Sequence, residues 1–163
     1  MSFFVGGILA HLPALSAFSS STNATDEYVA WGTRNHAVPL CRVAPGRWDL
    51  RVLDGTANVY LGIAATIAAG LLGLQAGEQD YEERDIGVDP TSLDDAGRRE
   101  GGVRRRMPRD GRESVEALSS DGGLREILGD SVVREYVETK EAEDRSVEGM
   151  GKTEKRMWGV ERF

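Results

Sequence analysis

Apolar residues along this chain come in blocks separated by polar runs, and each block has its own spacing. Residues 2–18, SFFVGGILAHLPALSAF, are apolar almost throughout and predict a helix from about Phe3 to Ser16. The small polar residues from Ser19 to Glu27 read as a loop. Tyr28 to Trp31 and Ala37 to Val43 read as strands, with Pro39 limiting the pairing of the second because it has no N–H to donate. Ala44-Pro45-Gly46 is a turn and Arg47 to Leu53 a further strand, so 37–53 forms a hairpin. Asp54-Gly55 breaks that strand. Thr56 or Asn58 then caps a long Ala/Gly/Leu helix running from about Gly62 to Leu74.

Residues 77–112 change character. They are rich in Glu, Asp, Arg and Gly, hold no sustained apolar period, and read as a surface excursion with disordered portions. Beyond them, 113–118 and 122–128 predict short helices. Asp121 is placed to cap the second, Gly129 to end it and Asp130 to cap the next. The last long helix gathers Val132, Val133, Tyr136 and Val137 on one face. Its Glu141/Arg145 pair, four residues apart, adds ~0.2–0.5 kcal/mol. No internal repeat is evident.

Composition narrows the class. A chain of 163 residues is one domain or part of one. At 40% hydrophobic and 29% charged it matches a soluble globular protein. The net charge of −7 argues against a nucleic-acid partner, which needs a basic surface, and the run Arg104-Arg105-Arg106 reads as solvated loop. The one cysteine, Cys41, permits no intrachain disulfide, which points to a reducing compartment and a cytoplasmic location. Cys41 lies in the apolar run HAVPLCRV and reads as buried filler, since a nucleophile needs a paired base and the chain has two histidines. Two segments mimic membrane signals. Residues 2–18 lack the positively charged start of a signal peptide, and His11 and Pro13 interrupt the apolar run. Residues 59–76 approach the ~20 apolar residues that span a bilayer, but they are mostly Ala and Gly, with Thr66 inside, and suit close packing in a core. Both read as buried helices, and no membrane partner is expected.

The candidate chemistry sits in Arg47-Trp48-Asp49-Leu50-Arg51. On a strand, residues two apart share a face, so one carboxylate and two guanidiniums point the same way. That set suits a divalent cation beside phosphate oxygens. The competing reading is a surface ladder of ion pairs, each worth ~0–1 kcal/mol. His11 reads as a helix residue rather than a ligand. Trp31, Trp48 and Trp158 read as packing groups.

The stretch from Arg47 to Leu74 resembles the C-terminal part of the glutamine synthetase family, where an Arg-x-Glu-x-Arg strand precedes Asn-Pro-Tyr-Leu and a buried Ala-rich helix. Here the turn is Asn58-Val59-Tyr60-Leu61 and the helix Gly62 to Leu74. Upstream, residues 4–15 are similar to F-x-x-G-[LI]-L-x-H-x-P-A-L, and residues 28–36 to the W-G-x-x-N-R strand entry. Downstream, Met107-Pro108 with Glu113 to Leu118 loosely matches L-P-x-S-L-x-E-A-L, and residues 154–163 match E-x-R-x-W-x-x-x-R-[YF]. The resemblance implies an α+β fold: a partial glutamine synthetase-type catalytic domain over 1–163, with antiparallel strands, a buried Ala/Gly helix and C-terminal helices, and no N-terminal β-grasp domain. It implies ATP-dependent ligation of ammonia, or another amine, to the γ-carboxylate of glutamate through an acyl phosphate, with Mg²⁺ or Mn²⁺.

By resemblance, Asp49 takes the place of a metal-binding Glu and is one methylene shorter. Arg47 and Arg51 match flanking arginines that contact nucleotide phosphate and glutamate. Arg42, in Leu40-Cys41-Arg42-Val43, matches another active-site arginine. His36 replaces the arginine of the family's Asn-Arg pair, and Arg34, two positions earlier, shares its face if the strand is regular. The family's E-x-E ligands, its G-x-x-M-H-x-H strand and its N-S-Y-K-R-L segment have no counterpart here. Family sites also lie between subunits of a ring. The expectation is therefore a chain inactive alone, whose partners are glutamate, an amine and further copies. The alternative is a non-catalytic interaction module that assembles with a full-length relative.

Overall fold

The computed structural model describes residues 2–19, 27–53, 57–77 and 83–146. Helix α1 (Phe3–Ala10) opens on Ser2, whose hydroxyl accepts from the Val5 N–H at 3.5 Å. The single helix predicted to Ser16 breaks at His11, and α2 (Leu12–Leu15) and a 3₁₀ turn (Ser16–Phe18) follow. Pro13 is the cause. It has no N–H for the Leu9 carbonyl four residues back, and its ring crowds that carbonyl. The freed Leu9 oxygen instead accepts from Arg105 Nη2 at 3.1 Å, and the Ala10 oxygen from Arg105 Nη1 at 2.8 Å.

Three strands, β1 (Trp31–Thr33), β2 (Leu40–Ala44) and β3 (Arg47–Leu50), form a sheet in that order. The expected hairpin is β2–β3, antiparallel, turning at Gly46 with φ 73°. On the other side of β2, β1 pairs with it in parallel, Trp31 beside Leu40 and Thr33 beside Arg42. The reversal needed is made in residues 34–39. Arg34 takes a left-handed φ of 54°, and the Asn35 side chain accepts from the Ala37 N–H at 2.9 Å, an Asx-type turn.

Helix α3 (Val59–Ala76) starts at Asn58, whose side chain accepts from the Leu61 N–H at 3.2 Å; the other candidate cap, Thr56, lies outside the described residues. Its small residues let α1 approach backbone to backbone. A Cβ on Gly7 would lie 2.2 Å from the Ala69 carbonyl oxygen, and one on Gly73 would lie 2.2 Å from that of Phe3. The helix is buried along this face only. Leu61 and Leu72 pack against the main core, while Ile63, Ile67, Leu71 and Leu74 are exposed among the described residues, so the helix read as buried is buried on its Ala/Gly side.

The main core joins Leu9, Leu12, Leu15 and Phe18 to Val29, Leu40, Ala65, Ala69, Leu118, Leu124 and Val133. Helices α5 (Gly111–Ser120), α6 (Gly122–Leu128) and α7 (Asp130–Ser146) close it, with Asp110 and Asp121 capping α5 and α6. On α7, Val133 is buried while Val132 is 43% exposed, so the predicted face holds without Val132. Tyr136 donates its hydroxyl to the Ala17 carbonyl at 2.8 Å.

The described part of the excursion, 83–112, is more than surface. Ile86 and Val103 join Tyr28, Ala30 and Val38 in a second core, Met107 enters the main one, and α4 (Asp95–Glu100) is capped by Asp94. Its large buried side chains, Ile86, Val103 and Met107, are few and unevenly spaced, so no period showed. Nor is the arginine run plain solvated loop. Arg105 caps α1 and pairs with Glu83 at 2.8 Å, and Arg106 lies 4.8 Å over the Tyr28 ring. The 154–163 motif, Trp158 included, lies outside the described residues.

Candidate functional site

The ladder fixes which candidates share a face. Directly paired residues point to the same side, so Asp49 faces with Cys41 and Gly32, and Arg42 faces with Trp48 and Thr33. The Trp31, Leu40, Trp48 and Leu50 side packs into the main core, with the two tryptophan rings 5.5 Å apart. Arg47, Asp49 and Arg51 alternate onto the other side. Arg51 continues the register one residue beyond β3, its N–H donating to the Pro39 carbonyl at 2.9 Å. On β3 the two arginines are exposed and Asp49 is half-buried.

The same register separates Arg42 from Asp49. A bulge between Arg42 and Ala44 lets Ala44 face Arg47 while Arg42 stays beside Trp48, so this arginine sits on the opposite face. Arg34 also departs from its premise. Strand β1 ends at Thr33, and the left-handed Arg34 breaks the alternation that would align it with His36. His36 is exposed, and its Nδ1 lies 3.4 Å from Arg51 Nη1, which brings the position replacing the family arginine to the rim of the Asp49 face.

No hydrogen bond or ion pair among the described residues reaches the side chains of Arg34, Arg42, Arg47 or Asp49. The surface-ladder reading requires Asp49 to pair with Arg47 or Arg51, and it pairs with neither. Two guanidiniums on one face with no carboxylate spent on them are suited to bind an oxyanion from outside the chain. The metal fits less well. Among the described residues no group of three or more His, Cys, Asp or Glu is placed to hold an ion, and one carboxylate leaves most of a divalent cation's octahedron to other donors.

Asn35 stands out as a residue the sequence reading passed over. It is 9% exposed, and its amide donates to the Ile86 and Val88 carbonyls at 2.8 and 2.9 Å. It thereby ties the 34–39 loop to the 83–88 segment, which runs alongside β1 through a parallel bridge between Trp31 and Asp85. Thr33 reinforces the tie, its N–H and hydroxyl both donating to Asp85 at 2.7 Å. An Asn in the turn between two strands was the available signal, but its acceptors lie about fifty residues away in a segment without periodicity.

A second polar contact joins His11 Nδ1 to Asp121 Oδ2 at 2.6 Å, with both side chains mostly buried. Burial alone would raise the Asp121 carboxyl. The His11 hydrogen bond and the N–H groups of Leu124 and Gly123 outweigh that and hold it below the ordinary carboxylate value. The pair links the end of α1 to the start of α6. His11 sits at the break between α1 and α2 rather than within a helix, and its ring is engaged by Asp121.

Comparison with known proteins converges on one family. The sequence profile described as "Glutamine synthetase, catalytic domain" matches residues 1–158. Protein fluG of Emericella nidulans is 35% identical over 171 residues, covering 98% of this chain and 20% of that protein. The gamma-glutamylpolyamine synthetase GlnA3 of Streptomyces coelicolor is 37% identical over 165 residues, covering 90% of this chain and 35% of that protein. The solved structure "Apo GmaS without ligand" superposes with a TM-score of 0.76 at 25% identity, over 95% of this chain and 37% of that one. The chain therefore spans between 20% and 37% of the proteins it is compared with here.

Proposed function

The chain belongs to the glutamine synthetase family, through its catalytic domain, and from that premise we propose that Arg47, Asp49 and Arg51 are one wall of an ATP-dependent ligase site. In the reaction, a glutamate γ-carboxylate oxygen attacks the γ-phosphorus of ATP and ADP leaves. Ammonia or another amine then attacks the acyl carbon, phosphate departs, and the nitrogen gives up a proton. Both steps gather negative charge on phosphoryl and carboxylate oxygens, and fixed guanidiniums offset it. Arg47 is assigned to nucleotide phosphate. Arg51, with His36 beside it, is assigned to the glutamate carboxylate. Asp49 would contribute one carboxylate to a Mg²⁺ or Mn²⁺ ion, whose other donors would come from outside this wall. Arg42 and Arg34 stand apart from it. The observation that carries this reading is the set of three side chains on one face, none held in an ion pair among the described residues.

A wall is not a site. With a single carboxylate in place, these residues alone are expected to show no ligase turnover, and the remaining donors of the site lie outside this wall. The exposed apolar side of α3 favours the second role, an interaction module. A cytoplasmic location fits a thiol that is free and fully buried.

Titration with an ATP analogue tests the wall. Saturable binding is expected for the full chain, weakened ~10-fold or more by Arg47→Ala, the loss of a charge-assisted bond. Arg134→Ala, on α7, should leave it unchanged. Equal binding by the Arg47→Ala protein would overturn the assignment. Phosphate release from pure protein that depends on both glutamate and ammonia would overturn the expected inactivity.

A further inference from the structure

The turn that carries His36 is held rigidly from below. Arg34 takes φ 54°, and the buried Asn35 amide donates to the Ile86 and Val88 carbonyls while its oxygen accepts from the Ala37 N–H. The backbone on either side of His36 is therefore fixed, yet His36 itself is exposed. Its one polar contact among the described residues places Nδ1 at 3.4 Å from Arg51 Nη1.

That contact constrains the proton. A guanidinium is always charged and holds only donors, so the ring nitrogen facing it must offer a lone pair, which a neutral imidazole has and an imidazolium lacks. Imidazole is also the side chain that ordinarily changes charge between about pH 5 and 8. Protonation turns the contact into two cations with donors facing each other. The surrounding charges do little to offset this. On β3, Arg47 adds a cation to the same face, and Asp49 is bonded to neither His36 nor Arg51. The turn itself brings Arg34, a further cation, and Arg42 lies on the far face of β2. Segment 83–88 brings Glu83, Arg84 and Asp85; Glu83 is paired with Arg105, and Asp85 accepts from both donors of Thr33. A guanidinium beside an imidazolium is best satisfied by an oxyanion from outside that accepts from both.

We propose that His36 is a charge-switching member of the wall: neutral, it accepts from Arg51 and holds it at the rim; protonated, it releases Arg51 and binds a carboxylate together with it. The proposal rests on the reading of Arg47, Asp49 and Arg51 as a ligand-binding wall and deepens it. Carboxylate affinity rises as pH falls and the imidazole takes its proton.

The full chain is titrated with L-glutamate at about pH 5.5 and about pH 8 at constant ionic strength, a range over which both glutamate carboxylates stay ionised. Wild type is expected to bind ~5-fold tighter at the lower pH, the scale of one exposed charge pair. His36→Arg, a permanent cation, should show the stronger affinity at both values, and His36→Gln, permanently neutral, the weaker at both. Both variants keep His11, so any pH dependence left in them belongs to that residue. The chain has two histidines, so proton NMR follows each ring. Glutamate added at about pH 7 should move toward the protonated position the signal that His36→Gln removes, and leave that of His11 in place. A wild-type affinity independent of pH, a pH ratio that survives in His36→Gln, or glutamate that moves neither ring signal would overturn the proposal. The ATP-analogue titration on the same proteins separates it from the nucleotide assignment. Analogue binding weakened by Arg47→Ala, beside glutamate binding with no pH ratio, sinks the switch alone. Analogue binding indifferent to Arg47→Ala, beside a pH ratio lost in His36→Gln, sinks the nucleotide assignment alone.

Discussion

At the scale of single residues, the most consequential contact is His11 with Asp121. Asp121 does two jobs. One oxygen caps α6 by accepting from the Leu124 N–H at 3.0 Å, and the other meets His11. Asp121→Ala removes both and is expected to cost about 1–2 kcal/mol, read from the urea midpoint. Asp121→Asn keeps a capping oxygen and should cost less. Because the folded carboxyl is held below its unfolded value of 3.8, its contribution is present above that pH and lost as pH falls through the lower, folded value. The wild-type midpoint should therefore drop on acidification below about pH 4 more than that of Asp121→Asn. The capping role was legible from Asp121 followed by Gly-Gly-Leu. The His11 bond was not, because 110 residues separate the two and nothing local marks either as half of a pair.

At the scale of elements, Ala and Gly in α3 encode a distance. Adding a methyl at Gly7 or Gly73 puts it 2.2 Å from backbone oxygen, so one helix must shift. Gly7→Ala and Gly73→Ala are each expected to lower stability by about 1–3 kcal/mol, the usual range for overpacking a well-filled interface. Gly122, at the start of α6, has open space where its Cβ would be, and Gly122→Ala should be neutral or slightly stabilising. Thermal melts of the three variants check the contrast. The β2–β3 hairpin was readable because turn residues and alternation are local. The break at His11 was readable in principle from Pro13, yet the continuous apolar run outweighed it. Parallel pairing of β1 was hidden, because it depends on the left-handed Arg34, a conformation that non-glycine residues adopt only rarely.

At the scale of the whole molecule, residues 83–112 hold the pieces together. Arg105 satisfies two carbonyls at the broken end of α1 while pairing with Glu83, and Asn35 and Thr33 anchor 85–88 alongside β1. Arg105→Ala is expected to cost about 1.5 kcal/mol, the low end for bonds to a charged group, since the guanidinium is 43% exposed. Limited proteolysis should then cut within 83–110 faster than in wild type, a sign of local opening. Arg105→Lys keeps the charge but not the fork that reaches two oxygens, and should rescue only part of the loss. None of this followed from composition, which made the region look like solvent-facing loop. Its anchoring residues are few, far apart in sequence and mostly polar, so they generate no period.

By itself the sequence determined what depends on neighbours along the chain: the Asn58 and Asp121 caps, the Gly46 turn, the Ala/Gly helix and the Arg-x-Asp-x-Arg alternation that carries the family signature. Tertiary structure decided what depends on chains meeting in space. It set Arg42 on the far side of the sheet from Asp49, gave the excursion a core, and sealed one face of α3 while leaving the other open. The physical reason is one of range. Hydrogen-bonded turns and side-chain periodicity are fixed within a few residues, whereas register, burial and the pairing of charges depend on which distant segment arrives opposite.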